Sequence, residues 1–391
     1  MTGIQGETLR LARELIACRS VTPADGGSLA LLDSRLAAAG FRCERLDRGA
    51  VSNLWARHGS SGPLVCLAGH VDVVPPGPLE QWTSDPFTPT ERDGRLYGRG
   101  AADMKASVAA MITAAERVVR AAEGRGSVAI LLTSDEEGDA VDGTAAIVEA
   151  LRHRGEAIDA CLVGEPTSTH RFGDTIKNGR RGSLNGQLRV HGQQCHIAYP
   201  ERGRNPIHDV APALEALVAA EWDRGNAYFQ PTSFQISNIH AGTGASNIIP
   251  GTLDVWFNFR FSPESSAPLL QEHVQRLLDH HRLRYDLKWR LIGEPFLTPH
   301  GALVDAVTAA VQAVAGVEPA LSTSGGTSDG RFLVRLAREV VEFGPLNDSI
   351  HKIDEHVRIA DLEPLSMIFE RTILAMWDGP ASPERRGQLS S

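Results

Sequence analysis

Short apolar runs of the buried-strand type alternate with helical patterns along most of this chain. The runs cover residues 64–68, 128–132, 160–163 and 340–343. Helical spacing of apolar residues covers 9–17, 29–39, 103–122, 142–153, 302–315 and 361–377. Strands that alternate with helices predict an α/β fold, in which a mostly parallel sheet is covered by helices.

The middle of the chain has a different pattern. Strand patterns at 186–190, 234–239, 253–259 and 284–289 are joined by turns and by helical patterns at 207–221 and 269–281. This predicts an inserted α+β domain with two helices and an antiparallel four-stranded sheet. Because 391 residues exceed one ordinary core, we expect a discontinuous catalytic domain (1–181 and 295–379), the insertion (182–294) and a frayed tail (380–391).

Composition excludes several classes of function. The net charge of −9 and the lack of a long basic run argue against a nucleic-acid partner. No apolar run approaches the ~20 residues that span a bilayer, so we expect no membrane partner. The five cysteines are far apart and form no Cys-x-x-Cys pair. With no signal-peptide pattern at the start, they predict a reducing, cytoplasmic location.

Acidic and imidazole side chains follow the predicted strands. His70, the pair Glu136-Glu137 and Glu165 each come two to five residues after an apolar run, and His351 comes eight after one. Ligands bind at the carboxyl ends of the strands in sheets of this kind, so we expect these residues to meet at one rim. Asp103 is predicted to open a helix, where the backbone N–H groups favour an anionic side chain.

This inventory suits metal-assisted hydrolysis. Zinc accepts imidazole nitrogen and carboxylate oxygen, and two ions ~3.5–4 Å apart form a hydrolytic centre. Asp103 is the natural bridge between them, and Asp72 is placed to orient the His70 ring. One of Glu136 and Glu137 would bind metal, while the other would take a proton from the attacking water. Taken singly, these residues fit ordinary roles too: Asp103 as a helix N-cap, and the others as loop or surface groups.

At these motifs the chain resembles the succinyl-diaminopimelate desuccinylase family of the zinc aminoacylase/carboxypeptidase superfamily. The likeness runs from about Leu9 to Trp377. The superfamily is indicated by Gly69-His70-Val71-Asp72-Val73-Val74-Pro75-Pro76-Gly77, Tyr97-Gly98-Arg99-Gly100-Ala101-Ala102-Asp103-Met104-Lys105 and Thr133-Ser134-Asp135-Glu136-Glu137-Gly138. The desuccinylases are indicated by Lys177-Asn178-Gly179-Arg180-Arg181-Gly182-Ser183-Leu184 and Ser324-Gly325-Gly326-Thr327-Ser328-Asp329-Gly330-Arg331-Phe332.

The resemblance implies a complete metal centre. One Zn²⁺ would be held by His70, Asp103 and Glu165, and a second by Asp103, Glu137 and His351. Co²⁺ or Mn²⁺ can occupy the same ligand set. Glu136 would be the general base, and the bond from Asp103 to Met104 would be cis. The implied reaction is hydrolysis of N-succinyl-LL-2,6-diaminopimelate to succinate and LL-2,6-diaminopimelate, in lysine and diaminopimelate biosynthesis.

The resemblance also implies how a dicarboxylate amide would be bound. Arginine suits carboxylate recognition, and neutral hydrogen-bonding groups would complete the site. The implied substrate-binding residues are Arg180, Ser183, Asn247, Arg260, Thr327 and Asn347. The family forms homodimers through the inserted domain, and His196 would reach the partner's site to stabilise the oxyanion.

Two positions depart from the family. Cys195 replaces the glycine that usually precedes the histidine, and it would strain the backbone if this position has positive φ. Ser246 replaces the first of two asparagines, which would weaken one substrate contact. Two other functions stay open: a related deacylase such as N-acetylornithine deacetylase, or a catalytically inactive metal-binding dimer. The presence of Glu136 argues against the inactive dimer.

Overall fold

The computed structural model describes residues 6–121 and 124–379. The predicted tail, 380–391, lies outside these residues. The helices are α1 (Glu7–Ala17), α2 (Ser28–Ala38), α3 (Ala106–Ala121), α4 (Thr144–His153), α5 (Pro206–Ala219), α6 (Ala267–His280), α7 (Ala302–Ala315), α8 (Gly330–Leu333) and α9 (Ile359–Asp378). Each predicted helix is present, within a few residues of its expected bounds.

The strands in chain order are β1 (Arg42–Arg45), β2 (Asn53–His58), β3 (Leu64–His70), β4 (Thr90–Arg92), β5 (Arg95–Tyr97), β6 (Ser127–Thr133), β7 (Ile158–Val163), β8 (Thr175–Lys177), β9 (Gly179–Arg180), β10 (Gly182–His191), β11 (Cys195–His196), β12 (Ser233–Ala241), β13 (Ile248–Ile249), β14 (Thr252–Phe261), β15 (Tyr285–Gly293), β16 (Phe296–Leu297), β17 (Ala320–Ser322), β18 (Ala337–Glu342) and β19 (His356–Arg358).

The described chain divides into two compact units. The first contains the chain up to Gly179, Thr298–Ser322 and the chain from Ser328 onward. The second contains Arg180–Leu297 together with Thr323–Thr327. The assignment of catalysis and dimerisation to separate domains stays a prediction.

The first unit is built on an eight-stranded sheet in the order β1-β2-β6-β3-β7-β18-β8-β17. Its centre, β6-β3-β7-β18, is parallel, and β1 and β2 add antiparallel strands at one edge. Every residue of β3 and β6 is buried. This explains their continuous apolar sequence, because strands of a parallel sheet are covered on both faces. The predicted fold class is confirmed.

Helix α3 lies deepest among the helices of the first unit. All of its residues from Ala106 to Glu116 are buried, and it packs against α1 and α9. Alanine is frequent along this stretch, and its small side chain lets neighbouring elements approach closely. The turn that precedes α3 is therefore anchored to the centre of the unit.

The second unit has its own core. Its antiparallel sheet has the order β12-β14-β10-β15, and β14 alternates buried and partly exposed residues over nine positions. Alternation of this kind is typical of a sheet with one covered face. Helices α5 and α6 pack on that face, where Phe257, Phe259 and Phe261 are surrounded by residues such as Leu217 and Val274. The predicted two-helix, four-stranded insertion is confirmed.

No helix in residues 6–121 and 124–379 is long and apolar enough to cross a membrane.

Candidate metal centre

Three neighbouring strands bring the first group of acidic and imidazole side chains together. β3 ends at His70, while Glu136 and Glu137 follow the end of β6, and Glu165 follows the end of β7. The three strands are adjacent and parallel, so their carboxyl ends share one edge of the sheet. The sequence placed these residues at this rim correctly.

Asp103 reaches the rim by a different route from the one predicted. It lies in an irregular turn, Ala101–Lys105, whose backbone at Asp103 (φ −121°, ψ 93°) is not helical. The prediction that Asp103 opens the helix was therefore wrong, because α3 begins only at Ala106. The peptide bond between Asp103 and Met104 is cis, as the resemblance implied.

The Asp103 carboxylate stands between two groups of ligands. Nε2 of His70 lies 3.2 Å from its Oδ1 and 3.9 Å from Oε1 of Glu165. On the other side, Nε2 of His351 lies 3.4 Å from Oδ2 of Asp103 and 2.9 Å from Oε1 of Glu137. One aspartate oxygen therefore faces each imidazole, as a bridging ligand requires.

Each group has the donor set of a metal site. The candidate ligand atoms of His70, Asp103 and Glu165 lie within 4.8 Å of one another, and so do those of Asp103, Glu137 and His351. Imidazole nitrogen and carboxylate oxygen are ligands that zinc and related divalent ions accept.

The pKa shifts of the two imidazoles indicate that the surrounding carboxylates favour bound positive charge. Hydrogen bonds to Asp103 and then Glu137 raise the pKa of the His351 imidazole to about 10. Burial by itself would lower the pKa of His70, but the hydrogen bond to Asp103 and the charges of Asp72 and Glu165 hold it well above its usual value. Both rings would thus retain protons among the carboxylates. Divalent cations would supply the same positive charge while displacing those protons, so the residues fit a pair of metal ions.

Glu136 lies beside the ligands with its side chain largely buried. Burial, followed by the negative charge of Glu165, raises the pKa of its carboxyl group well above the usual value. Nη1 of Arg331 lies 4.0 Å from its Oε1. A carboxylate held in these surroundings binds a proton readily, which is the property that a general base needs.

Asp72 contacts both the His70 ring, at the nitrogen where it was expected, and the loop of the two glutamates. The ring Nδ1 of His70 lies 2.9 Å from the backbone carbonyl of Asp72 and 3.6 Å from its carboxylate. The carboxylate accepts the backbone N–H groups of Glu136 (3.3 Å) and Glu137 (3.1 Å) instead. Asp72 thus orients His70 with its main chain and fixes the loop of the two glutamates with its side chain.

The residues expected to bind substrate are divided between the two units. Asn347 belongs to the first unit, is half-buried, and donates its N–H to the carbonyl of Ser168. The others belong to the second unit: Arg180, Ser183, Asn247, Arg260 and Thr327. Ser183 and Arg260 are directly opposite each other on β10 and β14, so their side chains share one face of the sheet. Their contacts with substrate stay predictions.

His196 is exposed on the short strand β11, and its Nδ1 accepts the N–H of Ala198 at 3.1 Å. The neighbouring Cys195 pairs with Ile249 in an extended strand and is not among the non-glycine residues with positive φ. The conditional expectation of backbone strain at Cys195 is therefore not met. Its thiol lies over Gly203, where a β-carbon would overlap it.

Sequence reasoning missed two residues behind the ligands. Glu355 is buried, accepts backbone N–H groups of the Asp103 turn, and pairs with Arg99. Arg99 lies inside one of the motifs that indicated the superfamily. Glu355 is 252 residues away from Asp103, and no spacing in the sequence links these two residues. Only the tertiary structure shows this contact.

Residues 66–375 match the sequence profile of peptidase family M20/M25/M40, and the chain belongs to this family. Among its relatives, the succinyl-diaminopimelate desuccinylase of Thiobacillus denitrificans is 59% identical over 95% of both chains. The succinyl-diaminopimelate desuccinylase of Bordetella petrii is 60% identical over 93% of this chain and 96% of its own. The family prediction is confirmed.

Solved structures share the fold at low sequence identity. The M20 family metallo-carboxypeptidase Sso-CP2 of Sulfolobus solfataricus superposes with a TM-score of 0.79 at 19% identity, over 95% of this chain and 99% of its own. The YXEP protein of Bacillus subtilis, a dinuclear metal-binding peptidase of the M20 family, gives 0.73 at 16%, over 96% and 98%.

Proposed function

We propose that this chain is a dinuclear metal amidohydrolase that cleaves N-succinyl-LL-2,6-diaminopimelate to succinate and LL-2,6-diaminopimelate, in lysine and diaminopimelate biosynthesis. The observation that carries the reaction type is the Asp103 carboxylate with one oxygen facing each of two ligand groups. The substrate rests on relatives of that name that are 59–60% identical over nearly the whole chain. The free state of all five cysteines agrees with a cytoplasmic enzyme.

The proposed centre holds two Zn²⁺ ions, for which Co²⁺ or Mn²⁺ can substitute. His70, Asp103 and Glu165 would hold one ion, and Asp103, Glu137 and His351 the other. Bound divalent ions polarise a carbonyl oxygen and lower the pKa of water to about 7. Both properties suit hydrolysis of an unactivated amide at neutral pH.

Glu136 moves the protons in this proposal. Its carboxylate takes a proton from the attacking water as the water oxygen bonds to the succinyl carbonyl carbon. When the carbon–nitrogen bond breaks, Glu136 returns that proton to the leaving amine nitrogen. The carboxyl group formed on the succinyl carbon then loses its remaining proton to the amine or to solvent, so the products are succinate and the amine.

Recognition of the substrate is assigned to cationic and neutral groups. Arg180 and Arg260 would bind substrate carboxylates, because a guanidinium matches a carboxylate with two parallel hydrogen bonds. Ser183, Asn247, Thr327 and Asn347 would supply neutral hydrogen bonds. In a homodimer formed through the inserted domain, His196 of one subunit would stabilise the oxyanion in the other.

The decisive assay compares N-succinyl-LL-diaminopimelate with N-acetylornithine, before and after chelation and after zinc is restored. We expect zinc-dependent release of succinate and little cleavage of the acetyl substrate. Preferential cleavage of acetylornithine would keep the metal chemistry and overturn the substrate. No cleavage of either substrate by a fully metal-loaded protein would reject the proposed activity.

Two variants test the assigned roles. Glu136→Ala should lose turnover while retaining two zinc ions, and unchanged turnover would remove Glu136 from the mechanism.

His196→Ala should lower kcat in a protein that sediments as a dimer, since the oxyanion group is supplied in trans. His208→Ala, which alters an exposed histidine on α5 of the same unit, is the matched control. If the parent protein is a monomer and is fully active, no partner subunit supplies a histidine, and the role assigned to His196 is wrong.

A further inference from the structure

A buried ion pair lies directly behind the candidate metal centre. Nη1 of Arg99 lies 2.8 Å from Oε2 of Glu355, and the two side chains are 3% and 1% exposed. Neither residue belongs to either ligand group. A buried charge is costly unless it is paired and hydrogen-bonded, so the contacts that satisfy Glu355 indicate its role.

The carboxylate of Glu355 is satisfied by the turn that carries Asp103. Oε2 accepts the N–H of Gly100 at 2.9 Å, while Oε1 accepts those of Ala102 at 2.9 Å and Asp103 at 3.0 Å. One side chain thus binds three backbone N–H groups within four residues. This fixes the orientation of the peptide units that place the Asp103 carboxylate.

The same pair joins two further segments that carry ligands. Glu355 follows His351 by four residues, and its own carbonyl accepts the N–H of Gly98 at 3.0 Å. The Arg99 guanidinium donates to the carbonyl of Lys352 at 3.2 Å, next to His351, and at 3.5 Å to the carbonyls of Pro75 and Pro76 in the loop after His70. The segments of His70, Asp103 and His351 therefore all meet at one ion pair.

In a bridged centre, both metal ions depend on the orientation of the turn that carries Asp103. Asp103 must keep Oδ1 toward His70 and Oδ2 toward His351 at the same time, so a small rotation of its turn would weaken both groups of ligands. The backbone conformation of Asp103 is not helical, and α3 begins three residues later, at Ala106. The Glu355 carboxylate provides the partners of three backbone N–H groups in this turn.

We propose that Glu355, held by Arg99, is a positioning residue that sets the spacing of the two metal ions by fixing the Asp103 turn and the His351 segment to each other. Its carboxylate contacts Arg99 and backbone N–H groups rather than the candidate ligand atoms. This inference rests on the proposed function, because it assumes that both ligand groups bind metal.

The test is Glu355→Gln, which keeps the size of the side chain but replaces one acceptor oxygen with an NH₂ group. That group would face either Arg99 and Gly100 or the N–H groups of Ala102 and Asp103. The matched control is Glu116→Gln, which alters another largely buried pair, with Arg35 at 2.6 Å, about 15 Å along α3 from its first residue. Both variants should destabilise the metal-free protein.

Only Glu355→Gln should change the metal centre. We expect its affinity for Zn²⁺, measured by chelator competition, to fall on the order of 10–100-fold, and the visible spectrum of its Co²⁺ form to change. Glu116→Gln should keep the parental affinity and spectrum. If Glu355→Gln binds two ions with parental affinity and spectrum, or if the control loses as much affinity, the inference is overturned.

A second measurement uses the unaltered chain and does not depend on the folding of a variant. In the metal-free protein, the amides of Gly100, Ala102 and Asp103 should be protected from hydrogen exchange, because Glu355 accepts all three. Exchange at the rate of an unfolded peptide would overturn the inference. A parental protein that binds two ions but does not cleave the succinyl substrate would reject the proposed activity alone.

Discussion

At the scale of single residues, Asp103 would determine whether the proposed centre can hold two ions or one. Its two oxygens face different imidazoles at 3.2 and 3.4 Å. Of the two groups that contain Asp103, Glu165 belongs only to the one with His70, and Glu137 belongs only to the one with His351; Glu137 also lies near His70 and Glu136 in a third possible group. Loss of a shared ligand should therefore affect both ions, and loss of an unshared ligand should affect mainly one.

Asp103→Asn should give the lowest metal content of the three isosteric ligand variants. We expect it to retain less than one ion per chain after dialysis, measured by atomic absorption, because the neutral amide is a poor bridge. Glu137→Gln and Glu165→Gln should each retain about one ion. Equal metal contents in all three variants would contradict a bridging role for Asp103.

Asp174 gives a pH-dependent contribution to stability outside the centre. Partial burial opposes its ionisation, but the backbone N–H groups of Thr169, Arg171 and His170 lower the pKa of its carboxyl group from 3.8 to about 2. A group with a lowered pKa stabilises the folded state above its unfolded pKa and loses that contribution as the pH falls through the folded value.

Asp174→Asn should therefore lower the free energy of unfolding by about 1–2 kcal/mol at pH 7, after allowance for solvent screening. The difference from the parent protein should be constant from pH 7 to about 4.5 and should shrink as the pH approaches 2. Urea unfolding curves across this range measure it. A difference that grows toward acid pH would contradict the assigned cause.

At the scale of elements, two glycines make room for the residue after Asp103. Gly69, at the end of β3, and Gly164, after β7, lie against the thioether of Met104. A β-carbon at Gly69 would overlap the Met104 methyl group, and one at Gly164 would lie 2.6 Å from it. Met104 also accepts the N–H of His70 at 3.4 Å. The strand ends and the Asp103 turn are thus packed together by one side chain.

Gly69→Ala should destabilise the metal-free protein by about 1–3 kcal/mol, as overpacking of a core does. In a Met104→Ala background the cost should be smaller, because the added methyl group then enters vacated space. A double-mutant cycle from urea unfolding measures this coupling. Strict additivity of the two changes would show that Met104 is not the obstacle.

The sequence predicted the strands of the site but not the turn that carries Asp103 or the residue behind it. Periodicity located β3, β6 and β7, and with them the positions of His70, Glu136 and Glu165 at one rim, because strand ends follow from local pattern. It failed at Asp103, whose turn resembles a helix start in sequence but has non-helical backbone angles. It also missed Glu355, because a contact between a carboxylate and backbone N–H groups leaves no periodic signal.

At the scale of the whole molecule, the two units have separate hydrophobic cores. The candidate ligands all belong to the first unit, while the aromatic core around Phe257 and Phe259 belongs to the second. Two cores of this size are expected to unfold as separate cooperative units. A ligand that binds only one of them should stabilise that one by mass action.

Calorimetry of the metal-free protein should therefore show two transitions, of which added Zn²⁺ raises only one in temperature. The increase should grow with free metal concentration, since stabilisation follows the ratio of free ligand to its dissociation constant.

Val274→Ala, in the core of the second unit on α6, should lower the temperature of the other transition by creating a cavity, at a cost of about 1–3 kcal/mol. It should leave the temperature of the zinc-sensitive transition unchanged, because the candidate ligands and Val274 belong to different units. One transition that responds to both zinc and Val274→Ala would show that the chain unfolds as a single unit.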